Sequence, residues 1–146
     1  MHYFKILAIL AAFGAGPVYA AGTETAEAAE GSDYKSAEEA ILSGDFAGAL
    51  PILIALTAAE PDNADAWNML GFASRKSGDL AAAGVAYGRA LEIDPDHLGA
   101  LEYQGEMYLE LMQPDMAKAN LARLQDLCGV CEEAEDLALA LAAAGA

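Results

Sequence analysis

Two cysteines three positions apart, Cys128-Gly129-Val130-Cys131, are the residues of this 146-residue chain whose type and spacing could support reaction chemistry. The pair suits a disulfide, a redox-active dithiol of the thioredoxin kind, or two thiolate ligands of a soft metal. Covalent haem attachment is excluded, because Glu132 follows Cys131 where a histidine is required. Zinc lacks partners, since there is no second cysteine pair and the only histidines are His2 and His97. Met107, Met112 and Met116 lie upstream and would suit cuprous copper, although methionines at such spacing commonly fill a core. A reactive thiolate wants electropositive surroundings, whereas Asp126, Glu132 and Glu133 flank this pair. In an exported chain the default is a structural disulfide, and closing so small a loop contributes about 2 kcal/mol. Its expected role is to fix the angle at which the next helix docks.

Glu102, Glu106 and Glu110 stand one helical turn apart and form a carboxylate row. Paired carboxylates can move protons or bind cations, but with no nucleophile near them the row reads as a solvated face. His97, beside Asp96 in a turn, reads as a capping or surface residue. No metal site and no cofactor follow from these residues.

The elements that must position them are helices. The chain is 55% apolar, with alanine dominant, leucine next and β-branched residues scarce, which fits an all-α domain. The formal net charge is −16, a surface that repels phosphate backbones and anionic lipid, so nucleic-acid and membrane docking are disfavoured. At the amino terminus His2 and Lys5 precede an apolar run, Ile6 to Gly16, that Pro17 breaks. Val18 and Ala20 are the small residues a signal peptidase reads, so residues 1–20 are expected to be a signal peptide cut after Ala20. Residues 21–32 contain no large apolar side chain and are expected to be a disordered acidic linker. The folded part, residues 33–146, would then be periplasmic or secreted.

From Asp33 onward the chain repeats. At an offset of 34, Gly44-Asp45 falls on Gly78-Asp79, Ala49 on Ala83 and Ala117, Pro61 on Pro95, and Gly71 on Gly105. Three units follow, 30–63, 64–97 and 98–131, each a helical hairpin, with a further helix over 132–143. Gly44 and Gly78 suit helix stops, while Asp45, Asp79 and Asn63 suit N-caps. Gln113-Pro114-Asp115 replaces the Gly-Asp turn in the third unit, with Pro114 suited to a first helical position. The run Leu50 to Leu56 is apolar all round and predicts burial on both sides.

Within 64–97, Trp67, Leu70-Gly71, Gly78-Asp79, Ala83, Tyr87, Ala90 and Pro95 resemble the tetratricopeptide repeat (TPR), with Ser74 where that pattern prefers tyrosine. The resemblance implies a right-handed superhelical stack of three hairpins closed by a C-terminal capping helix. Trp67, Leu70, Tyr87 and Leu91 would be the centre of its core. It also implies a concave groove lined by the first helix of each unit, which at the repeat offset would present Tyr34 and Glu38, then Asn68, Phe72, Arg75 and Lys76, then Glu102, Glu106 and Glu110. The lysine-asparagine-arginine arrangement with which chaperone-binding members hold a peptide carboxylate is not matched. Arg75 and Lys76 beside an acidic wall suit an extended polypeptide, and they equally suit the negative end of a helix dipole. The expected function is a non-enzymatic adaptor binding another protein or peptide. The alternative is a thiol-disulfide or copper-handling protein using Cys128 and Cys131.

Overall fold

The computed structural model describes the backbone of residues 24–146 and side chains from residue 33 onward. The expected signal peptide and residues 21–23 lie outside the described residues. Seven helices follow in order: α1 (Glu24–Leu42), α2 (Phe46–Ala59), α3 (Ala64–Lys76), α4 (Leu80–Ile93), α5 (Leu98–Glu110), α6 (Pro114–Cys128) and α7 (Glu132–Ala143). The start of α1 corrects the expected linker, because residues 24–32 are helical. That segment is rich in alanine and glutamate, strong helix formers, and its acids sit near a helix N-terminus. Lacking large apolar residues argued against a core contact, not against a helix.

Each hairpin turn is written locally. Gly44 (φ 78°) and Gly78 (φ 87°) take the left-handed conformation that ends a helix. The amides of Asp45 and Asp79 then donate back to the carbonyls of Ala40 and Ser74. The side chains of Asp45 and Asp79 cap α2 and α4 by accepting from the amides of Gly48 and Ala82, both at 2.9 Å. At the third turn the same backbone pattern recurs, with Gln113 N–H donating to Tyr108 and Met112 at φ 58°, but Gln113 makes no side-chain cap. Pro114 supplies the first helical position instead.

The helices form two layers. α1, α3, α5 and α7 touch in succession, while α2, α4 and α6 pack into the clefts between them without contacting one another. One layer is therefore tighter than the other, and the stack curves with the first helices on its inner side. Ala37, Ala49, Leu53, Leu56, Ala66 and Ala73 form the core of one end, and Leu101, Ala117, Leu124, Ala134, Leu137 and Leu141 that of the other. Tyr87, fully buried, forms a third, smaller cluster with Ala83 and Met107.

Two expectations about burial are corrected. Trp67 is half-buried, not central: its indole N–H donates to the Pro61 carbonyl at 3.0 Å, sealing the turn before α3. Leu70 and Leu91 are likewise half-buried, which leaves Tyr87 as the central residue of the expected four. The run from Leu50 to Leu56 is not enclosed either, since Ile54 is 59% exposed. α2 packs against α1 and α3 but not α4, so one of its faces opens onto an outer cleft of 360 Å³ shared with Trp67 and Val85.

Candidate functional site: the inner cleft

The inner layer encloses an open cleft of 370 Å³. α1 contributes Tyr34, Glu38, Ile41 and Leu42, spaced so that one helical face carries them all. α3 contributes Asn68, Met69 and Phe72, and α5 contributes Tyr103. Phe72 is the floor: its ring meets Phe46 edge-on at 6.0 Å between centroids and Tyr103 at 4.9 Å. Such packing of three aromatics favours defined ring geometry over mobile side chains. The Lys76 ammonium and the Arg75 guanidinium stand 5.4 and 5.7 Å from the Phe72 centroid.

The cleft is acceptor-rich. Asn68 Oδ1 is buried with no hydrogen-bond partner among the described residues. The Tyr34 hydroxyl is pushed above its ordinary pKa by burial and by the nearby carboxylates of Asp65 and Glu38. Tyr103 is shifted the same way by burial, with Glu102 and Glu106 adding to it and Arg75 opposing.

Arg75 lies beside this cleft and does not open into it. Its side chain is 4% exposed, with Nη2 2.5 Å from Glu106 Oε2 and Nη1 2.8 Å from Glu110 Oε1. Burial works against its charge, but the hydrogen bond it donates to Glu110 and the fields of Tyr87 and Glu106 outweigh that and hold its pKa above the ordinary value. Arg75 therefore clamps α3 to α5, a different task from the groove contact expected of it. The expected solvated row is corrected too. Glu102 is 7% exposed, Glu106 is mostly buried against Arg75, and only Glu110 remains largely in water. Burial pushes the Glu102 carboxyl up to about 8, reinforced by Glu106, Asp136 and Glu133 and opposed by Arg75. Arg75 of α3 draws Glu106 and Glu110 to it, and α7 packs over the same helix, with Leu137 seated on Gly105.

Of the expected groove residues, Tyr34, Glu38, Asn68 and Phe72 meet in the cleft, and Lys76 is exposed at its rim. Sequence reasoning missed Ile41, Leu42, Met69 and Tyr103. A signal existed for Tyr103, which stands 34 residues after Met69, but Leu42 is an apolar residue 80% exposed beside a turn and nothing local marks it.

His97 caps α5, its Nδ1 accepting from the Ala100 amide at 3.1 Å. That leaves Nε2–H to donate to Asp65 Oδ1 at 3.0 Å, which ties the start of α5 to the start of α3. Cys128 and Cys131 are joined in a disulfide with Cα atoms 5.8 Å apart, and both pack against the C-terminal core. Among the described residues there is no group of three or more His, Cys, Asp or Glu placed to hold a metal ion, and no helix long and apolar enough to cross a membrane.

The profile of the tetratricopeptide repeat family matches residues 64–97. Over 81 residues, 56% of this chain, the sequence is 33% identical to tetratricopeptide repeat protein 37 of Xenopus laevis, and the chain spans 5% of that relative's length. Among solved structures, MamA from Desulfovibrio magneticus RS-1 superposes with a TM-score of 0.63 at 24% identity, over 65% of this chain and 54% of that one. The first TPR of Spaghetti (RPAP3), solved bound to the HSP90 peptide SRMEEVD, gives a TM-score of 0.71 at 17% identity, over 80% of this chain and 94% of that one. Residues 64–97 are thus a tetratricopeptide repeat, and the seven-helix array built around them is a tetratricopeptide-repeat superhelix.

Proposed function

We propose that this chain is a non-enzymatic interaction scaffold, exported behind a cleaved signal peptide to a periplasm or beyond, that holds an extended segment of another protein in the inner cleft. The observation that carries the reading is the cleft itself: apolar walls from three helices, an aromatic floor and an unpartnered buried amide oxygen at Asn68. An extended peptide supplies what that arrangement lacks, backbone N–H donors and alternating side chains for the pockets. The peptide seen on the RPAP3 neighbour supports the class of ligand and says nothing of its sequence here. In this reading Arg75 with Glu106 and Glu110 braces α3 against α5 beside the cleft, and the disulfide staples the turn between α6 and α7.

Capture from periplasmic extract with the wild-type chain, repeated with Phe72→Ala and Asn68→Ala, tests the site. Loss of the captured protein in both variants, with helicity retained, is the expected result, and unchanged capture would remove the inner cleft from the reading. Amino-terminal sequencing of the exported form should begin at Ala21; a retained Lys5 would refute the cleavage.

A further inference from the structure

The inner cleft discriminates by charge as well as shape. Its α1 end carries Glu38, exposed and with no cation paired to it among the described residues, beside Tyr34 and with Asp65 near. Asp65 already accepts from His97, but remains 71% exposed. Asn68 adds a buried acceptor with nothing donating to it. Of the cations near the cleft, Arg75 is spent on Glu106 and Glu110, and both it and Lys76 stand over Phe72, at 5.7 and 5.4 Å from the ring centroid. At the α1 end the Glu38 carboxylate and the Asn68 Oδ1 therefore await a donor or a positive charge. An acidic peptide would meet repulsion there with no free cation to offset it.

We infer that the inner cleft selects an extended polypeptide segment carrying a lysine or arginine flanked by apolar residues, its cationic head between Glu38, Tyr34 and Asn68 and its apolar neighbours on Leu42 and Phe72. This rests on the scaffold reading and sharpens it: the partner's docking segment is basic and apolar, not acidic. Charge complementarity is the argument. A long basic side chain suits the site because its methylene stem packs on aromatic and aliphatic surface while its head reaches a carboxylate. Tyr34 and Asn68 then act as fixed acceptors for its N–H groups.

The test is selection of a displayed library of random linear peptides on the full exported chain, followed by affinity measurement of the enriched peptide by fluorescence anisotropy. Enrichment of lysine or arginine next to apolar residues is expected. So is a fall in affinity of about tenfold for Glu38→Lys, against little change for Asp126→Lys, which makes the same charge change on an exposed position of α6. Equal losses in the two variants would mean that only the net charge of the chain attracts basic peptides, and would overturn the inference. Enrichment of acidic or neutral peptides that Phe72→Ala abolishes would also overturn it, while leaving the cleft a peptide site. No enrichment of any peptide would overturn both readings.

Discussion

The second and third repeats share a backbone plan and close it by different means. In the second, Gly71 of α3 receives the Tyr87 ring of the unit's own second helix, where an added Cβ would stand 2.6 Å from the ring. In the third, Gly105 of α5 receives Leu137, a side chain of α7 beyond the unit. The boundaries differ in the same sense. Asn63 and His97 cap α3 and α5 through side-chain acceptors, after Pro61 and Pro95. At the next equivalent position Cys131 begins α7 with no side-chain cap, and the disulfide to Cys128 spans the turn. The middle unit is thus closed by local chemistry, whereas the third depends on α7, which occupies the place of the first helix of a fourth unit.

The largest expected effect lies in the middle unit. Tyr87→Ala should cost about 3 to 5 kcal/mol, since it empties a site with no exposure. Leu121→Ala, at the equivalent but half-buried position of the third unit, should cost only about 1 to 2 kcal/mol. Equal values in urea denaturation would break the comparison. Next, Cys128→Ser with Cys131→Ala should lose about 2 kcal/mol. Cys128→Ser with Cys131→Asn should regain about 1 kcal/mol of that by restoring the cap that Asn63 provides to α3. If asparagine restores nothing, α7 is not the counterpart of α3 and α5.

Glu102 gives a smaller effect with a pH signature. Its carboxyl is pushed up to about 8 in the fold, so the folded chain keeps a proton that the unfolded chain releases at ordinary carboxylate pH. The Glu102 contribution to stability is therefore greatest below the ordinary range and is lost as pH rises from there to about 8. Glu102→Gln, neutral throughout, should flatten that slope and raise stability at pH 8 by about 1 to 2 kcal/mol. Melting temperature against pH reads it, and an unchanged slope would show the carboxyl to be solvated. The smallest effect is at the third hairpin turn, where Met112→Gly should stabilise by about 0.5 to 1 kcal/mol by placing glycine at φ 58°. A fall in melting temperature would mean that the methionine side chain has a contact worth more than the strain.

Much of the fold could be read from the chain because its signals are short-ranged. Gly44-Asp45, Gly78-Asp79 and Gln113-Pro114 end one helix and start the next within a few residues, through bonds that never leave the turn. The 34-residue offset carried the rest, and Tyr34, Glu38, Asn68 and Phe72 came to the cleft with it. Residues 24–32 are helical where a linker is expected, because alanine and glutamate favour a helix without core contacts.

What the sequence by itself determined is therefore the number of helices, their turns and the face each presents to the inner side. Only the tertiary structure decided how the charges on those faces pair. Arg75 meets Glu106 and Glu110 across 31 and 35 residues, and Glu102 is buried only because α7 lies over α5. Local periodicity places a side chain on a helical face but is silent on which neighbour arrives there. That arrival removed Arg75 from the cleft and left the Glu38 carboxylate and the Asn68 Oδ1 without partners among the described residues.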